Sequence, residues 1–136
     1  VADTFSLRLI SPERVVFEGE VSAVYCPGAL GEFGVLAGHA PLLARLKTGE
    51  IRILKDNKWL YAAVSGGFSE VEYKSMRVLA EAAELSAEID VARADAAKKR
   101  AEDKLKQEKL EKEDDAVLSA ALERALNRLK VAGRGQ

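Results

Sequence analysis

The chain has 136 residues, 48% of them apolar, with 21 basic and 22 acidic side chains for a net charge of −1. That is material for one domain, or a small domain with an appendage, and the apolar share excludes wholesale disorder. Near-neutrality excludes a global attraction to nucleic acid or to an anionic bilayer, and no apolar run approaches the roughly 20 residues of a membrane span.

The start, Val1 to Thr4, has neither a basic cluster nor an apolar run, so no secretory signal is expected. Phe5, Leu7 and Leu9 then alternate with Ser6 and Arg8 as a half-buried strand requires. Further strands are expected over 15–17, 21–25, 42–46, 51–54, 59–64, 68–71 and 76–80. Turn chemistry separates them at Ser11-Pro12, Gly28 to Gly34, Thr48-Gly49, Asp56-Asn57 and Gly66-Gly67. About eight short strands without an intervening helix predict two antiparallel sheets face to face or a flattened barrel.

The chain then changes character. All three prolines, eight of the ten glycines and all eight aromatics lie at or before Tyr73. From Phe68 to Ala132 there is neither glycine nor proline, and Ala, Leu, Glu, Lys and Arg dominate, the composition of long helix. The boundary is placed near Ala87, giving a β-sandwich over 1–87 and two helices over 88–136. Ala94, Ala97, Ala101 and Leu105 form one narrow stripe; Leu118, Ala121 or Leu122, Ala125 and Leu129 form the other. Between them, Lys106 to Asp115 holds only Leu110 as an apolar residue. A hairpin with Asp114 or Asp115 as the second N-cap is favoured over one unbroken helix.

Several chemistries are absent. No P-loop, GxSxG or HExxH is present. Lone Cys26 and lone His39 build neither a disulfide nor a metal cluster, and a Cys26–His39 nucleophilic pair has no supporting third group. Neither an enzyme nor a metal site is expected.

The segment Gly31-Glu32-Phe33-Gly34-Val35-Leu36-Ala37-Gly38-His39-Ala40-Pro41-Leu42 resembles the GE-x-GVL-x-GHAPL stretch of the epsilon subunit of F-type ATP synthase. Similarity continues through 11–14, 65–71, 79–84, 89–94 and 124–129, in the family's order; Ala37 stands where the family commonly has proline. The resemblance implies a bacterial rotor subunit of the central stalk that performs no chemistry. It implies coupling of rotation to proton-driven ATP synthesis, with the gamma subunit and the c-ring as partners. It also implies that the C-terminal helices restrain hydrolysis at the catalytic alpha/beta head. Location would be the cytoplasmic face of the plasma membrane, peripheral through the complex alone.

Two sets of residues carry those implications. In the glycine-rich loop, Glu32 and His39 would meet polar c-ring loops; read from chemistry alone, the same loop is a surface turn. In the helices, Arg93 and Arg100 lie within about 20° of one another, and Arg124 and Arg128 share a face. Folding the hairpin would bring both pairs toward one pocket beside Glu84 and Asp90. Ile89-Asp90-x-x-Arg93-Ala94 resembles the motif of epsilon subunits that bind ATP, and Glu84, Arg100, Arg124 and Arg128 extend it. ATP would then be a regulatory ligand, with no cofactor required. The competing reading is a solvated helix pair laced by local ion pairs.

Charge adds a further expectation. Residues 81–95 carry five acids against Arg93, whereas from Glu123 onward Arg124, Arg128, Lys130 and Arg134 prevail. The basic end of the hairpin should therefore dock near the acidic start of the first helix. The rival for the whole chain is a free-standing β-sandwich binding module with a coiled-coil oligomerisation tail.

Overall fold

In the computed structural model, residues 3–107 and 112–134 are described. Ten strands form the N-terminal part: β1 (Phe5–Ile10), β2 (Val15–Val21), β3 (Ala23–Gly28), β4 (Gly31–Leu36), β5 (Leu42–Leu46), β6 (Gly49–Lys55), β7 (Lys58–Val64), β8 (Gly67–Val71), β9 (Ser75–Ala80) and β10 (Ala83–Leu85). A 3₁₀ turn, Ser86–Glu88, leads to helices α1 (Val91–Leu105) and α2 (Lys112–Ala132). The expected β-sandwich followed by a helical hairpin is what the chain forms.

Strand order is β10-β7-β6-β3-β5-β8-β9-β1-β2, with β4 beside β3. All pairings are antiparallel except β1 with β9. The sheet curls until β2 reaches β6: Lys55 Nζ donates to Glu20 O at 3.2 Å, and Ser22 N, just past β2, donates to Leu54 O at 2.8 Å. Alternate residues of both halves fill one core, including Leu7, Leu9, Val24, Cys26, Ile51, Ile53, Met76 and Val78. Phe5, Leu7 and Leu9 are buried, as their alternation predicts. At Gly66-Gly67 the chain bends at Gly66, and Gly67 already opens β8. Gly67 has a φ of +127°, and a Cβ there would meet the carbonyl oxygen of Leu79.

Three local expectations change. The stretch Gly28 to Gly34 is not one turn: β3 and β4 form a hairpin in register Gly28↔Gly31, leaving only Ala29 and Leu30 between them. Glycine content masked a strand whose Phe33 and Val35 point inward, Val35 being 1% exposed. Val15 to Phe17 extends through Glu18-Gly19-Glu20 as a single strand, because these polar residues sit on the partly exposed β1–β2 edge. Asp114 and Asp115 stand inside the first turn of α2 with Glu113, where acids are favoured by the exposed N–H groups and the helix dipole. Leu110 and its neighbours 108–111 lie outside the described residues, as do 1–2 and 135–136.

The two helices pack along their alanines, with Ala94, Ala101 and Ala125 at 1%, 4% and 0% exposure. Small side chains let the backbones approach closely. The end of α2 returns to the sheet and closes a second, smaller core of Ala63, Ile89, Val131 and Ala132 with Tyr61 against it. The hairpin is therefore folded back on the sandwich.

Candidate functional site

The seam between sandwich and hairpin encloses a cavity of about 360 Å³. Its sandwich wall comes from the β1–β2 turn, Ser11 to Arg14, and from Glu81 to Glu84; its helical wall comes from Ile89, Asp90, Arg93, Ala94 and Arg128. Six of the eight expected nucleotide-site residues thus line one space. Arg100 and Arg124 do not. The helices run antiparallel away from the sheet, so Arg100 stands about 10 Å beyond Arg93 along its axis and Arg124 about 6 Å beyond Arg128.

Local structure explains much of the Ile89-to-Ala94 pattern without a ligand. Ile89 is 8% exposed and anchors the second core. Asp90 caps α1: its Oδ1 accepts from Arg93 N at 3.0 Å. Ala94 fills the tight helix contact. The Arg93 side chain takes no part in these contacts. Among the described residues, none of Arg93, Arg100, Arg124 and Arg128 forms an ion pair, whereas Arg8, Arg14, Arg52, Arg77 and Arg134 each do. Arg93 and Arg128 therefore offer planar donor forks to an anion, and Glu84 and Asp90 offer acceptors to amino or hydroxyl donors.

Sequence reasoning missed the contribution of the β1–β2 turn. Ser11 N and Oγ both donate to Arg14 O, at 2.9 and 3.3 Å, and the braced turn presents Arg14 to Glu88 at 3.0 Å. The sequence marks Ser11-Pro12 as a turn and 11–14 as part of the resemblance, but not as a wall of the cavity. No local pattern ties residue 14 to residue 88.

The basic end of α2 docks in two places. Arg128 faces the acidic neighbourhood of Glu84 and Asp90, as the charge pattern predicts. Arg134 instead meets Glu50 on β6 at 3.1 Å, with its guanidinium 5.5 Å from the Tyr61 ring centre. Asn127 Nδ2 donates to Gly49 O at 2.8 Å beside it.

Glu32 and His39 do not share one loop. Glu32 is the second residue of β4, whereas His39 lies three residues past its end, so the strand alone separates them by about 13 Å. Glu32 Oε1 accepts from Arg52 Nη2 at 2.8 Å. His39 donates from Nδ1 to the Ala40 carbonyl at 2.6 Å, and its own N–H bonds Leu36 O at 3.2 Å. Cys26 is enclosed in the core, where burial first and the Glu32 charge second push its thiol up to about 12. It is no nucleophile for His39 to activate.

Comparison with known proteins fits this arrangement. Residues 4–86 match the family described as ATP synthase, Delta/Epsilon chain, beta-sandwich domain, and residues 87–133 match its long alpha-helix domain. The ATP synthase epsilon chain of Caldanaerobacter subterraneus is 43% identical over 98% of this chain and 96% of its own length. That of Desulforamulus reducens is 46% identical over 97% and 99%. A chain of the mitochondrial ATP synthase of Euglena gracilis, solved with OSCP, F1 and c-ring, shares the fold. Its TM-score is 0.81 at 23% identity, over 98% of this chain and 84% of that one. A chain from the central stalk and c-ring of Tetrahymena thermophila ATP synthase gives 0.64 at 12%, over 96% and 98%. With both domains matched in order and relatives above 40% identity across almost the whole length, the chain belongs to the ATP synthase epsilon-chain family.

Proposed function

We propose that the chain is a non-catalytic subunit of the central stalk of a bacterial F-type ATP synthase, where it couples rotor parts and regulates hydrolysis. The sandwich binds gamma and the c-ring, with Glu32 and His39 as polar ring contacts at the two ends of β4. The helical hairpin is the regulatory part: folded it is withdrawn, and opened it reaches the catalytic alpha/beta head and restrains ATP hydrolysis. The subunit sits at the cytoplasmic face of the plasma membrane through the complex; no helix among the described residues is long and apolar enough to cross a bilayer.

ATP acts as a ligand of the folded hairpin. The carrying observation is the cavity at the seam, lined by Glu84 from the sheet, Asp90 and Arg93 from the start of α1, and Arg128 from α2. A ligand there touches three segments that meet only when the hairpin is down. Such a ligand stabilises the folded conformer by RT ln(1 + [L]/Kd), about 1.4 kcal/mol at tenfold Kd, or roughly a tenfold population shift. Arg93 and Arg128 take phosphate oxygens in this scheme, while Glu84 and Asp90 accept from the base or ribose. In this scheme the site holds ATP without cleaving it, the sequence having no P-loop to cradle the triphosphate.

Calorimetric titration of ATP into the isolated chain, paired with hydrolysis by the assembled enzyme at low and high ATP, tests the reading. Saturable binding and relief of inhibition over the same concentration range are expected. No binding at millimolar ATP sinks the latch and leaves the arginines as a solvated face.

A further inference from the structure

The outer face of β4, β3, β6 and β7 carries an arrangement that neither the fold nor the seam cavity requires. Tyr25 on β3 stands opposite Gly34 on β4 and Arg52 on β6. A Cβ at residue 34 would lie 2.6 Å from Cε1 of Tyr25, so the ring leans over bare β4 backbone. The Arg52 guanidinium lies 4.7 Å from that ring's centre and 6.0 Å from the centre of the Trp59 ring, and the two rings are 5.9 Å apart. Resting against the Tyr25 ring with Trp59 beside it, Arg52 donates from Nη2 to Oε1 of Glu32 at 2.8 Å.

A surface ion pair between two flexible side chains contributes little, because ordering both costs entropy. Here one partner is already ordered: Arg52 is stacked and its side chain is only 34% exposed, whereas that of Glu32 is 59% exposed. An ionised carboxylate has about four acceptor positions, so one bond to Arg52 leaves the rest available. The pair therefore fixes the direction of a carboxylate that is still open to a second donor.

We infer that Arg52, stacked on Tyr25 and Trp59, is a positioning residue that aims the Glu32 carboxylate at donors of a docking partner. The inference rests on the reading of Glu32 as a ring contact. Gly34 belongs to the same device, since its missing side chain is what lets Tyr25 lie where Arg52 stacks.

The test uses the full chain with gamma, binding to detergent-purified c-ring. Glu32→Ala should weaken binding, and Arg52→Ala should weaken it about fivefold, the upper range for a partly exposed charge pair. In the Glu32→Ala background, Arg52→Ala should add less than twofold, because it acts through the missing carboxylate. Arg52→Lys should recover only part of the loss, lacking the planar fork. The exchange Glu32→Arg with Arg52→Glu restores an ion pair but turns the wrong charge outward, so it should not restore binding. Trp59 is the sole tryptophan, and its emission should change in Arg52→Ala but not in Glu32→Ala, with melting temperatures unaltered. Independent, additive losses overturn the positioning role, as does rescue by the exchange. An inert Glu32→Ala overturns it differently, by removing Glu32 from the ring interface altogether.

Discussion

Arg134 Nε donates to Oε2 of Glu50 at 3.1 Å, joining the end of α2 to β6 across 84 residues of chain. The Glu50 side chain is 8% exposed and the Arg134 side chain, two residues beyond α2, 46%, so the carboxylate is covered while its partner is half in solvent. Opening the hairpin rehydrates Glu50; removing Arg134 while the hairpin stays down leaves the charge covered and unpaired. Such a charge works against the covering state.

Arg134→Ala should therefore raise the open population. About 1 kcal/mol is expected, because Arg134 is half in solvent, and that corresponds to roughly a fivefold shift. Hydrogen exchange of α2 amides should accelerate by that factor while β-strand amides keep their protection. Unchanged α2 exchange would show that Val131 and Ala132 hold the helix without the ion pair.

ATP binding should separate the four arginines of the hairpin. Arg93→Ala and Arg128→Ala remove cavity walls and should weaken ATP binding tenfold or more, in line with charge-assisted bonds of about 1.5–3 kcal/mol. Arg100→Ala and Arg124→Ala lie further along the helices and should cost less. Equal losses at all four, measured by calorimetry, would move the phosphates outward from the seam.

The contrast between these arginines marks what the sequence reveals. Periodicity places Arg93 near Arg100 and Arg124 near Arg128 around their helices, and that much is geometry of one helix. It carries no information on how far each sits from the sheet, which depends on where the hairpin docks. The alternation of Phe5, Leu7 and Leu9 is equally local, and the strand follows. By contrast β4 hides behind two glycines with different reasons: Gly31 takes the positive φ of the hairpin turn, and Gly34 makes room for Tyr25 from another strand. Arg14–Glu88 and Arg134–Glu50 join distant segments, so no spacing rule announces them.

Truncation after Glu88 should leave the sandwich folded. Its core draws on β1 to β10 alone, and the hairpin contributes only the smaller cluster around Ala63 and Tyr61. The truncated chain exposes Tyr61, Ala63 and Glu50, so a modest fall in melting temperature is expected with the β-type circular dichroism retained. Enzyme assembled with it should synthesise ATP yet hydrolyse it without restraint at low ATP. Hydrolysis that remains restrained would detach regulation from the helices.

Cys26 provides a pH test of the core itself. Burial raises its thiol from the ordinary 9.0 to about 12, and the nearby Glu32 charge adds to the rise. Below pH 9 both folded and unfolded chains keep the proton, so this group makes stability no more pH-dependent. Between about 9 and 12 the unfolded chain loses the proton and the folded chain keeps it, so stability falls by ~1.4 kcal/mol per pH unit. Folded protein at pH 8 should resist thiol reagents for as long as it stays folded, and denaturant should release one equivalent of reactive thiol. Cys26→Ser would leave a hydroxyl in the apolar core and confuse the comparison, whereas Cys26→Ala or Cys26→Val removes the titration. Either variant should show a flatter decline in stability from pH 9 to 11 than the parent, read from denaturant midpoints. Equal declines in variant and parent would assign the alkaline loss to lysines and tyrosines and acquit the buried thiol.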